Sequence, residues 1–457
     1  MSRLGNHAIV LGGSIGGIVA ARVLADHFER VTVFERDRIP ELGAPRKGVP
    51  QGRQAHGLLY GGYAALETLF PGWSELVVRE GGIRGEPGRD GLWIHHGHVQ
   101  AKVDAPTNGL LASRPLLEGT LRQCLLVRPN VRFVEDVDVL GITTAPDRSR
   151  VTGARVRERS SGVEHTFAAD LVIDALGRGS PSSRWLAELE YAAPECEEVR
   201  INQYYTSRLF RRPRQGFEGN LFIIVAAVPG NPRSAAMLAV EGDRFIVALT
   251  ACFGERVPED LEGFRDYAEL LPSPEVGRFV RHAEPLDEPR THPFPASRRL
   301  RYESLRAFPA GYLVFGDAIA SFNPVFGQGI TVAALEGLLL RECLAKGLHR
   351  VAQRFFKGAS RLVDIPWSTA VLNDLRFPQV EGKRTPMVKF LHGYLPRVYE
   401  RGAHDMVVAR TVLDVVNLGK SPAALLSPRM LWHVYGPRRA RPQELLAPGT
   451  AIAERRA

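Results

Sequence analysis

One stretch near residue 320 combines residue types that position a ligand or build a difficult turn. It reads VFGDAIASFNPVFGQG over 314–329, where an apolar strand ends at Asp317 and an apolar helix begins after Pro324. An acid at a strand end accepts hydrogen bonds from ligand hydroxyls, and a helix N-terminus presents free N–H groups and a positive dipole end. Asp and Gly also cap helices and form turns without a ligand. The choice between these interpretations depends on the rest of the chain.

The first 37 residues predict a nucleotide-binding βαβ unit. An apolar strand, a glycine-rich turn and an apolar helix precede a second strand that ends before Glu35. Gly13 lets the backbone approach a pyrophosphate, Gly16 lets the helix pack closely on the strand, and an acid at Glu35 accepts both ribose hydroxyls of an adenosine. Leu11 replaces the first glycine of GxGxxG, so Gly12 is expected to form the tight turn. A bound dinucleotide is therefore predicted.

Asp317 indicates which dinucleotide this is. A chain that binds only NAD has no need of a second acid-bearing loop so far downstream. FAD is longer, and its ribityl and isoalloxazine groups reach a different strand end from its adenosine. Asp317 is then placed to accept a hydrogen bond from a ribityl hydroxyl, and the helix after Gly327 directs its positive end at the flavin edge that becomes negative on reduction. We therefore predict FAD as the cofactor.

Three segments resemble the fingerprints of single-component flavoprotein monooxygenases, which share the fold of p-hydroxybenzoate hydroxylase. They are HAIVLGGSIGG, LVIDALGRGS and the 314–329 stretch. APRKGVPQGRQAHGLL and SRPLLEGTLR, among other segments, are similar to those of actinomycete flavin-dependent epoxidases that oxidise polyenes in polyether antibiotic biosynthesis. Two positions depart from the pattern. Leu176 stands where the wider family has the acid of an Asp-Gly pair, and Gln54 stands where epoxidase-like proteins often have histidine.

The resemblance extends the set of expected FAD contacts. It implies that Arg114 reaches the phosphate or ribityl region, that Val139 gives backbone hydrogen bonds to adenine, and that residues 48–51 lie beside the isoalloxazine. Arg36 and Arg46 are expected near the adenosine or pyrophosphate. The complete set of expected cofactor contacts is Gly12, Gly13, Ser14, Ile15, Gly16, Glu35, Arg36, Arg46, Val49, Pro50, Gln51, Arg114, Val139, Gly177, Gly316, Asp317, Pro324, Gly327, Gln328, Gly329 and Ile330.

The expected fold is α/β, with a discontinuous Rossmann-like FAD-binding domain, an inserted and mostly antiparallel substrate-binding sheet, and a C-terminal helical region. The FAD-binding domain is expected at 1–75, 110–185 and 292–345, the sheet domain at 76–109 and 186–291, and the helical region at 346–457. The substrate would lie between the sheet and the flavin. Apolar candidates for the pocket, each also a common core residue type, are Tyr204, Phe222, Phe245, Phe322, Pro324 and Phe326.

The resemblance implies a monooxygenase reaction. NADPH or NADH reduces FAD directly or through a partner flavin reductase, and dioxygen then adds at flavin C4a. The distal oxygen of this hydroperoxide passes to a C=C bond or an aromatic carbon of an apolar natural product, which gives an epoxide or a hydroxylated product. The chemistry belongs to the cofactor, so the sequence assigns no catalytic side chain. No second GxGxxG unit is present for a nicotinamide cofactor.

Three alternatives stay open. A flavin-dependent halogenase shares the fold but needs a lysine near the flavin and a WxWxIP segment, which this sequence lacks; Lys47 is the only lysine in the first hundred residues. A geranylgeranyl-reductase-like enzyme would use FAD to saturate C=C bonds. A scaffold that binds FAD without turnover is the non-catalytic alternative.

Composition argues against several other classes. The charge of +9 is spread along the chain without a basic and aromatic recognition motif, so no nucleic-acid partner is expected. The four cysteines form no CxxC pair and fit a reducing cytoplasm, and His95, His96 and His98 have no acidic or cysteine partner at ligand spacing, so no metal is expected. No apolar stretch approaches the roughly 20 residues of a membrane span. A soluble cytoplasmic enzyme with a small apolar substrate and no integral membrane association is expected.

Overall fold

The computed structural model describes residues 3–104 and 109–437. The chain divides into two compact units: unit 1 comprises Met1–Glu80, Ser113–Ile201 and Phe294–Gly382, and unit 2 comprises Gly81–Ala112, Asn202–Pro293 and Lys383–Ala457. The predicted C-terminal region is divided between them, because residues 346–382 belong to unit 1 and residues 383–437 to unit 2. The remainder of that predicted region, 438–457, lies outside the described residues.

The regular elements follow in chain order. The strands are β1 (Gly5–Leu11), β2 (Phe28–Phe34), β3 (Ile83–Gly85), β4 (Gly91–His95), β5 (His98–Val99), β6 (Gly109–Leu111), β7 (Val131–Val134), β8 (Val137–Thr144), β9 (Val151–Glu158), β10 (Glu164–Ala168), β11 (Leu171–Asp174), β12 (Cys196–Arg211), β13 (Phe222–Val225), β14 (Ser234–Val240), β15 (Arg244–Ala251), β16 (Arg290–Leu300), β17 (Tyr312–Val314) and β18 (Ala320–Ser321). The helices are α1 (Ile15–Leu24), α2 (Tyr60–Leu69), α3 (Trp73–Arg79), α4 (Arg114–Leu126), α5 (Ser182–Glu188), α6 (Leu261–Glu269), α7 (Glu275–His282), α8 (Gly329–Leu344), α9 (Val351–Asp374), α10 (Pro386–Gly402), α11 (Met406–Val416) and α12 (Pro428–Tyr435).

A parallel five-stranded sheet, in the order β17-β11-β1-β2-β7, forms the centre of unit 1. Its strands are short apolar runs, as expected for a sheet that is covered on both faces. The register pairs Leu11 with both Phe34 and Asp174, and pairs Asp174 with Val314. The carboxyl ends of these four strands therefore lie at one edge of the sheet. Both loops that the sequence singled out, after β1 and after β17, leave from this edge.

Unit 2 contains the predicted, mostly antiparallel sheet. Its strands follow the order β12-β15-β14-β13-β4-β5, and only the β13–β4 pair is parallel. One face packs against α6 and α7 in an apolar core, which includes Phe210, Phe264 and Phe279. α10, α11 and α12 form a smaller cluster around Tyr394 and Val408. The predicted α/β fold class, with its inserted sheet and C-terminal helices, is thus confirmed.

No helix among the described residues is both long enough and apolar enough to cross a bilayer.

Candidate functional site

The turn after β1 needs glycine for two different reasons. Gly12 has a φ of +97°, and a Cβ atom there would lie 2.6 Å from the carbonyl oxygen of Ala175. Gly12 therefore forms the tight turn, in place of the first glycine of GxGxxG, where this chain has Leu11. The close approach falls at Gly17, where a Cβ atom would lie 1.8 Å from the carbonyl oxygen of Gly12. The expectation for Gly16 was wrong in this respect, since a Cβ atom there would make only an ordinary contact at 3.8 Å with Phe315.

Glu35 follows β2 and is buried against this turn. Its carboxylate accepts hydrogen bonds from the backbone N–H of Gly13, at 2.9 Å, and of Asp37, at 3.0 Å. Arg46 forms an ion pair with it at 2.9 Å. A Cβ atom on Gly13 would lie 3.1 Å from the Glu35 carboxylate and 3.0 Å from the ring of Phe133. Gly13 thus allows the acid to approach the turn at the position that the sequence predicted for a ribose.

A cluster of three buried guanidinium groups, one buried carboxylate and a half-buried serine lies beside the turn, and we call it the arginine cluster. Its members are Ser14, Arg46, Arg114, Glu118 and Arg122. Glu118 accepts hydrogen bonds from all the others, with distances of 2.8 Å to Ser14, 2.9 Å to Arg46 and Arg122, and 3.0 Å to Arg114. Burial alone would raise the pKa of Glu118, but Arg114, Arg46 and Arg122 lower it to about 2. Glu118 is therefore ionised at neutral pH.

The arginine cluster retains hydrogen-bond donors that the described residues do not satisfy. These buried donors are Nη2 of Arg46, Nε of Arg114 and Nε of Arg122. The cluster borders a shallow, open cleft, which is also lined by Val49 and Gly52. Unsatisfied guanidinium donors beside a cleft, together with the N-terminus of α1, make a site suited to an anion such as a phosphate.

Glu118, Arg122 and Asp37 belong to this site but were not identified from the sequence. On α4, Arg114, Glu118 and Arg122 follow one another at intervals of four residues, which places them on one helix face. That spacing was a signal in the sequence that a buried ion network exists there. Asp37 left no such signal, since its ion pair with Arg46 at 3.1 Å depends on the chain that follows β2.

The other expected adenosine contacts are more scattered. Arg36 is exposed next to Glu35 and belongs to none of the ion pairs of the arginine cluster. Val139 pairs with Val156 in the β8–β9 ladder, where the register shifts. The first residue of β8, Val137, donates its N–H to the carbonyl oxygen of Glu35 at 3.2 Å, so the start of this strand adjoins the end of β2.

Residues 48–51 form a tight turn directly after Arg46 of the arginine cluster. The N–H of Gly48 donates to Asp37 at 2.6 Å, and Val49 is buried. A 3-10 turn then spans Pro50–Arg53, with Pro50 at its first position, where a proline lacks no needed donor. The loop is therefore fixed at one end by the same acids that hold Arg46.

The second predicted site lies in the loop after β17. Gly316 has a φ of +67° and begins a 3-10 turn, Gly316–Ala318, which leaves the side chain of Asp317 exposed to solvent. The surrounding protein nevertheless desolvates this carboxyl and raises its pKa, while Arg114 and Arg178 lower it. Arg114 therefore acts on Asp317 and also donates to Ser14 at 2.8 Å. Arg114 thus bonds to the loop after β1 and acts electrostatically on the loop after β17.

α8 begins beside Asp317. A Cβ atom on Gly329 would lie 3.7 Å from the Asp317 carboxylate, and Gly327 has a φ of +63°. Gln328 is buried, and its Oε1 has no hydrogen-bond partner among the residues with described positions. Further along α8, Glu336 accepts a hydrogen bond from the Gly316 N–H at 2.7 Å, and burial raises its pKa to about 8. The Glu336 carboxyl is therefore mainly protonated at pH 7, and in this neutral form it accepts the N–H of Gly316 and holds the turn.

The loop between β18 and α8, which contains Pro324, is held in place by hydrogen bonds of Asn323. Asn323 accepts the N–H of Val325 at 3.2 Å and donates to Asp374 of α9, also at 3.2 Å. Burial raises the pKa of Asp374 to about 7. Pro324 and Phe326 lie in the 3-10 turn that this contact supports, and Phe322 precedes it as a buried side chain. Ile330 is a buried residue in the first turn of α8.

The middle fingerprint carries its acid at a different place from the wider family. Asp174, at the end of β11, is fully buried and accepts hydrogen bonds from Ser180 at 2.6 Å, from Tyr312 at 3.0 Å and from the N–H of Leu176 at 3.0 Å. Gly177 follows with a φ of +74°. Sequence reasoning noted the missing acid at Leu176 and overlooked this one, which holds the β11 loop to β17.

The aromatic candidates of unit 2 lie on different faces of its sheet. Phe245 is fully buried in the core under α6 and α7, and its ring contacts Phe279 edge-on at 5.2 Å. It is a core residue and not a lining residue, because side chains alternate between faces along a strand. Tyr204 is an even number of residues from Phe210 on β12 and shares that face. Phe222 has the opposite orientation and contacts Trp93 at 5.4 Å.

The histidine group forms a hairpin and not a strand face. His95 ends β4, His96 lies in the turn with a φ of +51°, and His98 begins β5. The rings of His95 and His96 stack on Tyr399 at 4.6 and 5.3 Å. Within the described ranges, 3–104 and 109–437, no group of three or more acidic, histidine or cysteine side chains is arranged to hold a metal ion.

Comparison with known proteins extends this description. None of the protein-family models matches the chain. The chain is 36% identical over 357 residues to Protein Rv3254 of Mycobacterium tuberculosis, an alignment that covers 75% of this chain and 74% of that protein. The chain is also 26% identical over 347 residues to mouse squalene monooxygenase. That alignment covers 74% of this chain but 54% of the squalene enzyme, so this chain spans about half of that enzyme's length.

Two solved structures have the same fold. p-Nitrophenol 4-monooxygenase PnpA of Pseudomonas putida matches with a TM-score of 0.64 at 16% identity, over 91% of this chain and 99% of that one. The flavin-dependent brominase Bmp2 matches with a TM-score of 0.63 at 15% identity, over 90% and 93% of the two chains. The chain belongs to the same family as Protein Rv3254. The solved structures, at identities as low as these, show that it has the fold of the flavin-dependent monooxygenase PnpA and the brominase Bmp2.

Proposed function

We propose that this chain transfers one oxygen atom from dioxygen to an apolar natural product, by epoxidation of a C=C bond or by hydroxylation, in secondary metabolism. The observation that carries the proposal is that two loops, after β1 and after β17, leave the same edge of a parallel sheet. Arg114 links them, since it bonds to Ser14 and acts on Asp317. A cofactor with an adenosine at one end and a redox group at the other fits this arrangement.

The chain's own residues fit FAD by three tests. The glycine turn after β1 is as tight as a pyrophosphate-binding turn requires, since a Cβ atom at Gly12 or Gly17 would collide with a backbone carbonyl oxygen. The arginine cluster holds buried donors that a phosphate satisfies. Asp317 lies at the N-terminus of α8, which supplies N–H groups and a positive dipole end. We propose that Glu35 holds the ribose, the arginine cluster the pyrophosphate, and Asp317 the ribityl chain.

In this reaction FAD, when bound, supplies electron storage and the activation of dioxygen, and the protein supplies position, charge and the exclusion of water. The N–H groups at the start of α8 would stabilise negative charge on a flavin ring held beside them. Glu336 holds a proton at neutral pH and, through the Gly316 N–H, keeps the Asp317 turn in place. The Asn323–Asp374 hydrogen bond fixes the loop that carries Pro324 beside the start of α8.

The finer assignment is an epoxidase of polyene substrates, of the kind found in polyether antibiotic biosynthesis. It is supported by the resemblance of the 44–59 and 113–122 segments and by the likeness to squalene monooxygenase, an enzyme named for an apolar alkene. We propose that electrons come from NADPH or NADH, either directly or through a partner flavin reductase, because the sequence contains no second GxGxxG unit.

Labelled dioxygen tests the proposal. The enzyme is loaded with FAD, reduced without oxygen, and mixed with candidate polyenes and arenes and ¹⁸O₂; the product is expected to gain one labelled atom. A parallel reaction in H₂¹⁸O with unlabelled dioxygen should give no label. A product that gains two hydrogens and no oxygen would identify a reductase, and a chain that takes up no flavin would contradict the proposal altogether.

A halogenase is the second candidate, because the brominase Bmp2 shares the fold over 90% of this chain. The chain has five tryptophans, and none is separated from another by a single residue, so the WxWxIP segment is absent. Lys47 is exposed beside the arginine cluster. Bromide or chloride added to the labelled reaction distinguishes the two, since a halogenase yields a halogenated product without retained ¹⁸O.

A further inference from the structure

Two C-terminal helices of unit 2 carry large apolar side chains at the surface. Met387 and Phe390 of α10 are 57% and 50% exposed, and Trp432 and Tyr435 of α12 are 63% and 54% exposed. Each pair is three residues apart on its helix, so its members share a face. Tyr394 joins the two pairs, since its ring lies 5.8 Å from that of Phe390 and 6.0 Å from that of Tyr435. We call Met387, Phe390, Trp432 and Tyr435 the aromatic patch.

The aromatic patch is comparable in size to the largest apolar patch of a typical monomer, which is often functional. A whole aromatic side chain presents about 150–250 Å², so four large side chains that are about half exposed present on the order of 400 Å². Contiguous apolar patches of this size on a monomer are often sites of interaction. The patch is also separable from the core beneath it, which consists of Tyr394, Val398, Val408, Val412 and Met430. Polar substitutions within the patch therefore leave that core in place.

The segment that carries the aromatic patch is positively charged. Residues 383–437 contain eight lysines and arginines and three acids, a net charge of +5. Two of the acids, Asp405 and Asp414, are already in ion pairs within these helices. Lys389 and Arg397 are exposed on α10, and the Arg397 guanidinium lies over the Tyr435 ring at 5.6 Å. Aromatic rings and basic side chains thus share one surface.

We propose that this surface docks on an anionic lipid bilayer. Amphipathic aromatic rings favour the headgroup level of a membrane, and each lysine or arginine near an anionic surface strengthens binding about fivefold. Such a helix lies in the plane of the interface and does not span the bilayer.

Two other occupants fit the charge less well. A second copy of this chain brings the same positive surface against itself. Residues 438–457 contain five arginines and two glutamates, so the chain's own C-terminal segment is also positively charged and does not complement this surface.

Sedimentation with vesicles tests the docking surface. The full-length protein is expected to bind vesicles of phosphatidylcholine that contain about 30% phosphatidylserine, and to bind pure phosphatidylcholine vesicles at least about tenfold more weakly. Salt near 0.5 M should also weaken binding, because it screens the charges. The double variant Phe390→Ser/Trp432→Ser should lose at least about tenfold in binding, and Lys389→Gln/Arg397→Gln about 25-fold.

A matched control changes exposed apolar residues elsewhere. Leu126 and Val127, 50% and 80% exposed at the end of α4, are replaced together by serine, which should leave vesicle binding unchanged. Trp432→Phe keeps an apolar ring but removes the indole, so quenching of tryptophan fluorescence by brominated lipid should fall in this variant. Each variant is checked by its thermal unfolding temperature, since all these changes lie at the surface.

Three results would overturn the proposal. The first is that the wild-type protein does not sediment with anionic vesicles. The second is that the Phe390→Ser/Trp432→Ser variant binds them as the wild type does. The third is that this variant converts a dimer to a monomer in ultracentrifugation without affecting lipid binding, which would assign the patch to a second copy. None of these measurements needs bound FAD or turnover, so their failure is distinct from failure of the proposed reaction.

Discussion

Replacing Glu118 by glutamine tests the arginine cluster directly. The change keeps the size and shape of the side chain but removes the one charge that contacts Arg46, Arg114 and Arg122 together. Three guanidinium groups, each less than a tenth exposed, then lose a partner. Breaking a buried pair by removing one charge typically costs about 3–5 kcal/mol, because the remaining charge stays desolvated.

The pKa of Glu118 gives an independent magnitude. The arginines lower it from 4.5 to about 2 against the effect of burial. At about 1.36 kcal/mol per pH unit, this difference corresponds to about 3 kcal/mol of stability. Because the folded pKa lies below the unfolded one, the contribution is fully present above pH 4.5 and is lost as pH falls through about 2. The two routes agree in size, so a deficit of about 3 kcal/mol is expected at pH 7.

Urea unfolding of wild-type and Glu118→Gln protein at pH 7, 4.5 and 3 measures this difference. The deficit of the variant should be largest at pH 7 and should shrink toward pH 3, because below pH 4.5 the unfolded wild-type chain is protonated at Glu118 and the folded protein must give up a proton to form the pair. Glu188→Gln is the matched control, since Glu188 forms an exposed pair with Arg184 and should contribute at most about 0.5 kcal/mol. A deficit below 1 kcal/mol at pH 7, or one that does not vary with pH, would refute the reasoning.

Three further predictions follow from the same geometry. Gly17→Ala should cost about 2–3 kcal/mol and weaken FAD retention, because its Cβ meets the Gly12 carbonyl, whereas Gly16→Ala should be tolerated; thermal unfolding and flavin absorbance check both. Asp317→Ala should fold normally but bind FAD about 10–100-fold more weakly in a flavin titration, and a mutant that retains a full complement of flavin would contradict its assignment. Asp374→Asn should raise stability at pH 8 by up to about 4 kcal/mol and abolish the loss that the wild type shows between pH 4 and 7. The sign follows from the raised folded pKa of about 7, and a variant as pH-dependent as the wild type would disprove it.

The parts of the fold that depend on local pattern could be predicted from the sequence. The β1 turn, the acid after β2 and the glycines around Asp317 each follow from the demands of one short segment. The four-residue spacing of Arg114, Glu118 and Arg122 on α4 could have predicted an ion network. Whether that network is buried could not be predicted, because its burial depends on β2 and on the chain that follows β2. Phe245 shows the limit most clearly: alternation along β15 fixes which residues share its face, and only the packing of α6 and α7 determines that this face is the core.

The arginine cluster has a physical reason to place so many ions in the interior of the protein. Desolvating three guanidinium groups is unfavourable, and Glu118, Glu35 and Asp37 compensate for it before any ligand arrives. The side chains are therefore already ordered in the protein alone, so a bound anion has no rotamer entropy to remove and meets donors in fixed directions. The same acids orient Arg46 and fix the Gly48 turn, while Arg114 extends the network to Asp317. We infer that loosening this network at Glu118 weakens both ends of the cofactor site together, which a loss at Asp317 alone does not do.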